Sequence, residues 1–260
     1  MMTARVNPDS IVTASASTLT PEQLKFYHEE GYLLIRGLIP TEAAAALKTE
    51  VMQIMDLIGL PFTKLKQTFE YLEGSDLDAF VNSLRLKSLA EQLMGGPGSV
   101  YLPFTAVKSG GGGGRFHFHQ DNQYTRHDGP ACNLWCALSP MRKENGCLQI
   151  VPRSHLNGTL TSIQSPDGDD HRAVATDPVK YEVIEMEPGD CVAFTRLTVH
   201  GSGQNVTPEP RVAYAVQFHR NDSRWLDRET GEYKLLTEHP RFKVGPVKEI
   251  TVPKGKTDGH

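Results

Sequence analysis

Cysteine is scarce in this 260-residue chain. Its four residues, Cys132, Cys136, Cys147 and Cys191, show neither the CxxC spacing of a zinc or thiol-redox site nor the density of a disulfide scaffold, so buried free thiols are expected. No stretch approaches the roughly 18–20 apolar residues of a membrane span, which argues against a membrane protein. A positive excess is also missing. Lys and Arg number 27 against 31 Asp and Glu, for a net charge of -4, and no basic patch is concentrated anywhere, so nothing electrostatic points to nucleic acid or an anionic bilayer. Met1–Leu19 lacks the apolar core of a signal peptide and reads as a loose tail, giving a cytoplasmic expectation. Internal repeats are absent. The five-glycine run Gly110–Gly114 lacks the Lys-Ser/Thr ending of a phosphate-binding loop and reads as a mobile lid or linker, or else as an inert loop.

What is present is ordinary in bulk, at 38% hydrophobic and 22% charged residues, and long enough to bury a sizeable core. Helical signals fill the first third. Thr20-Pro-Glu-Gln23 is a capping box with proline at the first helical position, and a helix should run from there to just before Gly31. Tyr32–Ile35 reads as a short buried strand. A second helix begins near Thr41 with Leu47, Val51, Ile54 and Ile58 on one face, and a third covers about Asn82 to Met94, stopped by Gly95 and Gly96.

From residue 99 the texture becomes short β-rich runs: 100–108, 115–119, 131–138, 147–151, 182–186, 191–195 and 211–219. Pro188-Gly-Asp190 supplies a turn between two of them. Helices first and strands after predict an α+β, mainly β layout, a β-sandwich or jelly roll with N-terminal helices packed on it. The expected organisation is a flexible tail over 1–19 and a single domain over 20–260. Within it, 20–98 is mainly helical, 99–220 is the jelly-roll core and 221–260 a C-terminal extension that covers a pocket or forms a subunit contact.

The chemistry concentrates in Arg115–Asp121, RFHFHQD. His119 and Asp121 are two apart, so on a strand edge both project to one side. An imidazole and a carboxylate so placed are two legs of a 2-His-1-carboxylate facial triad, the site of non-haem iron(II) oxygenases with open coordination positions. His200, in the polar turn His200–Asn205 after the run 191–195, fits the third leg. Eleven residues on, Arg211 opens a strand whose alternation sets Arg211, Ala213 and Ala215 on one face and Val212, Tyr214, Val216 and Phe218 on the other. A guanidinium beside two alanines describes a roomy pocket ending in one cation, suited to the far carboxylate of a dicarboxylate such as 2-oxoglutarate.

His117 shares strand parity with His119 and either touches substrate or the metal surroundings, or is turned away by a bulge. A cupin reading of His117-x-His119 wants a following glutamate, and Gln123 and Tyr124 stand there instead. Asn122, Gln123, Tyr124 and Arg126 are candidate substrate contacts that hint at a polar or anionic small molecule. His155 reads as fixing its own turn, and Asp167–Asp170 as a solvated loop.

At this point the sequence closely resembles the phytanoyl-CoA dioxygenase family of iron(II)/2-oxoglutarate oxygenases. The resemblance runs from about Thr20 to Gln217. It is carried by Glu29–Ile39, Phe118–Asp121, Asn145–Leu148, Val151–His155, Pro188–Asp190 and His200–Asn205. It implies a double-stranded β-helix, the cupin-like jelly roll, with iron on His119, Asp121 and His200 and 2-oxoglutarate on Arg211. By the same resemblance Trp135, with Asn133 on its inward parity, lines the cosubstrate, and Lys108 assists beside the glycine-containing loop. Ser202 and Asn205 belong to the turn of the distal ligand, either near the cosubstrate or shaping the backbone. The implied reaction is hydroxylation of a small-molecule substrate, using O2 and releasing succinate and CO2. Desaturation, cyclisation or dealkylation by the same centre is an alternative, as is a non-catalytic binding module of the same fold. Asp121 departs from the halogenating relatives, which carry a small residue there. No nucleic-acid or membrane partner is expected, and the chain is expected to be a monomer or homodimer.

Overall fold

The reciprocal capping box forms as the sequence requires. The Thr20 hydroxyl accepts from the Gln23 N–H and the Gln23 amide oxygen accepts from the Thr20 N–H, starting α1 (Pro21–Glu30). Gly31 ends it at φ 82°, a left-handed conformation that glycine enters without a Cβ clash. The computed structural model describes residues 10–59, 65–66, 68–167, 171–239 and 245–251.

After α1 come β1 (Tyr32–Ile35), α2 (Thr41–Ile58), β2 (Leu65–Lys66), α3 (Asp76–Val81) and α4 (Leu84–Met94). The short α3, capped by the Ser75 hydroxyl, was not expected, and α4 starts at Leu84 rather than Asn82 because Ser83 caps it. The β region then holds β3 (Gly98–Lys108), β4 (Phe116–His119), β5 (His127–Asp128), β6 (Ala131–Ala137), β7 (Leu148–Ile150), β8 (Ser162–Gln164) and β9 (Arg172–Val174). It closes with β10 (Glu182–Ile184), β11 (Cys191–Thr195), β12 (His200–Ser202), β13 (Arg211–Arg220), β14 (Arg224–Leu226) and β15 (Tyr233–Leu235).

Two antiparallel sheets make the jelly roll. The larger has the order β1-β11-β6-β13-β3-β2 and the smaller β10-β7-β12-β4. Alternation along β6 and β13 decides the layers. Cys132, Leu134, Cys136, Val212, Tyr214, Val216 and Phe218 pack outward with Leu47, Val51 and Ile54 of α2 and Leu86, Leu89 and Leu93 of α4. Trp135, Ala137, Ala213 and Ala215 face inward, against Leu148, Ile150 and Ile184 of the smaller sheet. A register shift in β13 between Gln217 and Phe218 leaves Tyr101 as the extra residue on β3, so Tyr101 and Leu102 both belong to the inner layer. All four cysteines are buried and free.

Several local expectations change. The polar turn expected at His200 is the short strand β12, paired with β4 on one side and β7 on the other. Of the stretch expected as a loose tail, the described residues pack: Ile11 and Val12 are fully buried with the helical layer, and the Thr13 N–H donates to the Leu38 carbonyl. The glycine run is hydrogen-bonded to the segment after β12. The N–H groups of Gly111 and Gly112 donate to Thr207 and Asn205, and Asn205 donates back to Gly113. A Cβ on Gly110 would meet the Pro208 carbonyl at 1.9 Å, so glycine serves close approach here. The extension after Asn221 pairs β14 with β5 and with β15. Residues 168–170 of the expected acidic loop lie outside the described residues. Among the described residues no helix is long and apolar enough to cross a membrane.

Candidate active site

His119 ends β4, and His200 opens β12 directly opposite it as a cross-strand partner. Asp121 starts a single 3-10 turn one residue beyond β4. The intervening Gln120 is extended, at φ -116° and ψ 138°, which returns the Asp121 side chain to the His119 side. Gln120 itself points away as a brace. Its amide donates to the carbonyls of Leu197 (2.6 Å) and Gly158 (2.9 Å), and its oxygen accepts from the Leu160 N–H.

Ligand atoms of His119, Asp121 and His200 lie within 4.8 Å of one another, and all three residues are buried. Each imidazole uses Nδ1–H to donate to a main-chain carbonyl, His119 to that of His117 (2.8 Å) and His200 to that of Thr198 (2.9 Å). That tautomer turns the Nε2 lone pairs towards Asp121 Oδ1, at 3.9 Å and 3.7 Å. Burial first, and the neighbouring His200 second, push the His119 imidazole well below its ordinary pKa, so it is neutral and ready to donate its lone pair. Three lone-pair atoms converging without a proton between them repel one another unless a cation sits at their centre. The donor set, two imidazoles and one carboxylate oxygen, fits iron(II).

The other carboxylate oxygen is held away from that centre. Asp121 Oδ2 accepts from Gln217 Nε2 at 2.9 Å and from Asn133 Nδ2 at 3.2 Å. Gln217 is set in turn by Arg196, whose Nη1 donates to its amide oxygen at 3.0 Å, leaving the NH2 group to face Asp121. Arg196 Nη2 donates to the Asp121 carbonyl at 3.0 Å and to the Thr125 carbonyl at 3.3 Å. This clamp leaves Asp121 one free oxygen. Gln217 was legible in principle, two further along the face that carries Arg211, Ala213 and Ala215. Arg196, on the turn after β11, carried no periodic signal.

A cavity of about 380 Å3 opens over the triad. Arg211 lines it, 2% exposed, with its guanidinium carbon 5.1 Å from the centre of the Trp135 ring. Its Nε and Nη1 are buried with no hydrogen-bond partner, and burial lowers its pKa to about 10. A buried guanidinium with unmet donors fits a carboxylate ligand, and the cavity joins it to the triad. Ser202 also lines the cavity. Lys108 is fully buried beside Arg211 on the neighbouring strand, and its ammonium donates to the Gly203 carbonyl. Burial, and then Arg211, hold its pKa well below the ordinary lysine range. Asn133 lines the cavity and donates to Asp121.

The expected substrate contacts divide. Tyr124 lines the cavity, edge-on to the His119 ring, and its hydroxyl accepts from the Arg172 N–H at 3.0 Å. His117 does not line it: its ring pairs with Asp167 at 3.0 Å. Asn122 and Gln123 are also outside the wall, and the tight turn after Asp121 spends their amides within the neighbouring loops. Asn122 holds Thr159 and both main-chain groups of His127, and Gln123 accepts from the Gln120 N–H. Arg126 lines a separate cavity beside β5. Asn205 shapes its turn, donating to the Glu209 carbonyl and accepting from Thr207.

The chain is 26% identical over 262 residues to a probable phytanoyl-CoA dioxygenase of Caenorhabditis elegans, covering 87% of this chain and 84% of that one. It is 26% identical over 243 residues to the multifunctional dioxygenase ausE of Penicillium brasilianum, covering 85% and 79%. Among solved structures, the epimerase SnoN in complex with Fe3+, alpha ketoglutarate and nogalamycin RO superposes with a TM-score of 0.67 at 22% identity, covering 90% of this chain and 95% of that one. The family profile of phytanoyl-CoA dioxygenase (PhyH) matches residues 27–213, a span that takes in the strands bearing the triad and Arg211. Well over half of the sequence is thereby accounted for, and the chain belongs to the phytanoyl-CoA dioxygenase family of iron(II)- and 2-oxoglutarate-dependent oxygenases.

Proposed function

We propose that this chain hydroxylates a small-molecule substrate, holding iron(II) on His119, Asp121 and His200 and 2-oxoglutarate against Arg211. The observation that supports this best is the pairing of unmet groups in one cavity: three converging lone pairs at one place, and a buried guanidinium with unmet donors at another. When bound, iron(II) with 2-oxoglutarate and O2 supplies the oxidising chemistry, with succinate and CO2 as coproducts.

The chain's own residues supply position and exclusion. Arg211, over the Trp135 ring, fixes the far carboxylate of the cosubstrate and thereby the orientation of its other end. Asn133 and Gln217 keep Asp121 to one free oxygen, so its second oxygen takes no further coordination position. Phe116 and Phe194 sit with ring centroids 4.4 Å from those of His119 and His200 respectively and shield both imidazoles from water.

Asp121→Ala should abolish substrate hydroxylation and weaken iron(II) binding, read by anaerobic calorimetry. Retained activity would remove Asp121 from the triad. The names multifunctional dioxygenase and epimerase among the similar proteins favour a second reading, in which the same centre drives a different outcome. Product mass separates them: a gained oxygen for hydroxylation, a loss of hydrogen for desaturation or ring closure, and no change for epimerisation.

A further inference from the structure

The cavity lies between two aromatic walls. From the larger sheet, Phe104 and Leu102 project inward, with Phe69 edge-on to Phe104 at 6.5 Å between ring centroids. On the side of the smaller sheet stand Phe116 and Tyr124, and His171 lies against Phe116 at 4.4 Å. The Tyr124 hydroxyl is already engaged by the Arg172 N–H.

The charged groups between these walls are committed. His119, Asp121 and His200 converge on one centre, and Arg196 spends its guanidinium on Gln217 and on the carbonyls of Asp121 and Thr125. Arg211 is taken by the cosubstrate in the reading above, on which this inference rests. Two nearby arginines are elsewhere: Arg126 lines another cavity and Arg115 pairs with Asp177 at 3.2 Å.

We infer that the site takes an uncharged, ring-bearing hydrophobe held between the Phe104 and Phe116 walls, not an acyl-CoA thioester. Apolar and aromatic surface on two sides rewards buried ring area and offset or edge-on stacking. Drawn inside the cavity, a thioester's phosphates would need free cations, and the described lining presents none beyond those already engaged.

The test uses protein loaded with iron(II) and 2-oxoglutarate under anaerobic conditions. It is titrated with N-phenyl-1-naphthylamine, a neutral ring-bearing fluorophore, and then with octanoyl-CoA as competitor. Saturable binding of the neutral probe is expected, not displaced by octanoyl-CoA and weakened about ten-fold or more by Phe104→Ala. Phe69→Lys, at the half-exposed mouth, should weaken the probe as well and serves if Phe104→Ala does not fold. Displacement by octanoyl-CoA at concentrations equal to the probe's, or unchanged probe binding in the folded variants, overturns the inference. Equilibrium dialysis of labelled 2-oxoglutarate is run alongside. Its failure to bind counts against the reading of the metal site, whereas failure of the probe with 2-oxoglutarate still bound counts against the substrate class alone.

Discussion

The two faces of the larger sheet are built from alternate residues of the same strands and do opposite work. On β13 the outward set Val212, Tyr214, Val216 and Phe218 is apolar, buried and packed with the helices. The inward set Arg211, Ala213, Ala215 and Gln217 carries a guanidinium with unmet donors, two small side chains that leave room, and an amide clamp. The outer face gains stability by excluding water from hydrocarbon. The inner face gives up packing and holds buried polar groups in place of it. Stability and function should therefore separate by residue parity.

The largest effect should come from the outer face. Phe218→Ala removes a fully buried ring and should cost about 3–5 kcal/mol of unfolding free energy by denaturant titration. Iron(II) affinity per folded molecule should be unchanged, and a parallel fall would break the separation of the faces. On the inner face, Arg211→Met should cost about 2–5 kcal/mol of 2-oxoglutarate binding, measured by dialysis. It should leave the stability of the ligand-free protein unchanged or raised, since a buried guanidinium with unmet donors is removed. Equal losses of iron and 2-oxoglutarate affinity would deny Arg211 its place. Gln217→Ala leaves Asp121 Oδ2 held by Asn133 alone and should lower metal affinity about 10–100-fold. Anaerobic calorimetry checks this, and an unchanged affinity would make the clamp merely structural.

The smallest effect is one of pH. His219, on the inward parity beyond Gln217, has its pKa lowered from 6.5 to about 4, by burial first and also by Arg196. The unfolded chain then binds the extra proton across that window. The His219 contribution to stability is fully present above about pH 6.5 and is lost as pH falls towards about 4. His219→Leu should flatten the acid limb of the urea midpoint plotted against pH, and an unchanged limb would discount it.

Much of this could be read in advance, and the failures have a common cause. The capping box at Thr20 and Gln23 and the alternation on β6 and β13 are local, and the structure follows them. The strand nature of His200–Ser202 was hidden, because a short polar segment shows no hydrophobic period and is a strand only through its neighbours β4 and β7. Asn122, Gln123 and Arg126 looked like substrate contacts because they follow Asp121 in sequence. The turn after Asp121 sends the two amides to the loop and leaves Arg126 beside β5. Two of the partners that hold Asp121 come from far along the chain, Arg196 and Gln217 being 75 and 96 residues away.

The sequence by itself determined which residues alternate, where α1 begins and ends, and which residue types gather as His119, Asp121, His200 and Arg211. Those are properties of near neighbours, set by backbone geometry and side-chain period. Only the tertiary structure decided that His200 stands across from His119, that Gln217 and Arg196 restrain Asp121, and that the cavity walls are aromatic. Each of those depends on strands paired across long loops, where position follows from packing and not from spacing along the chain.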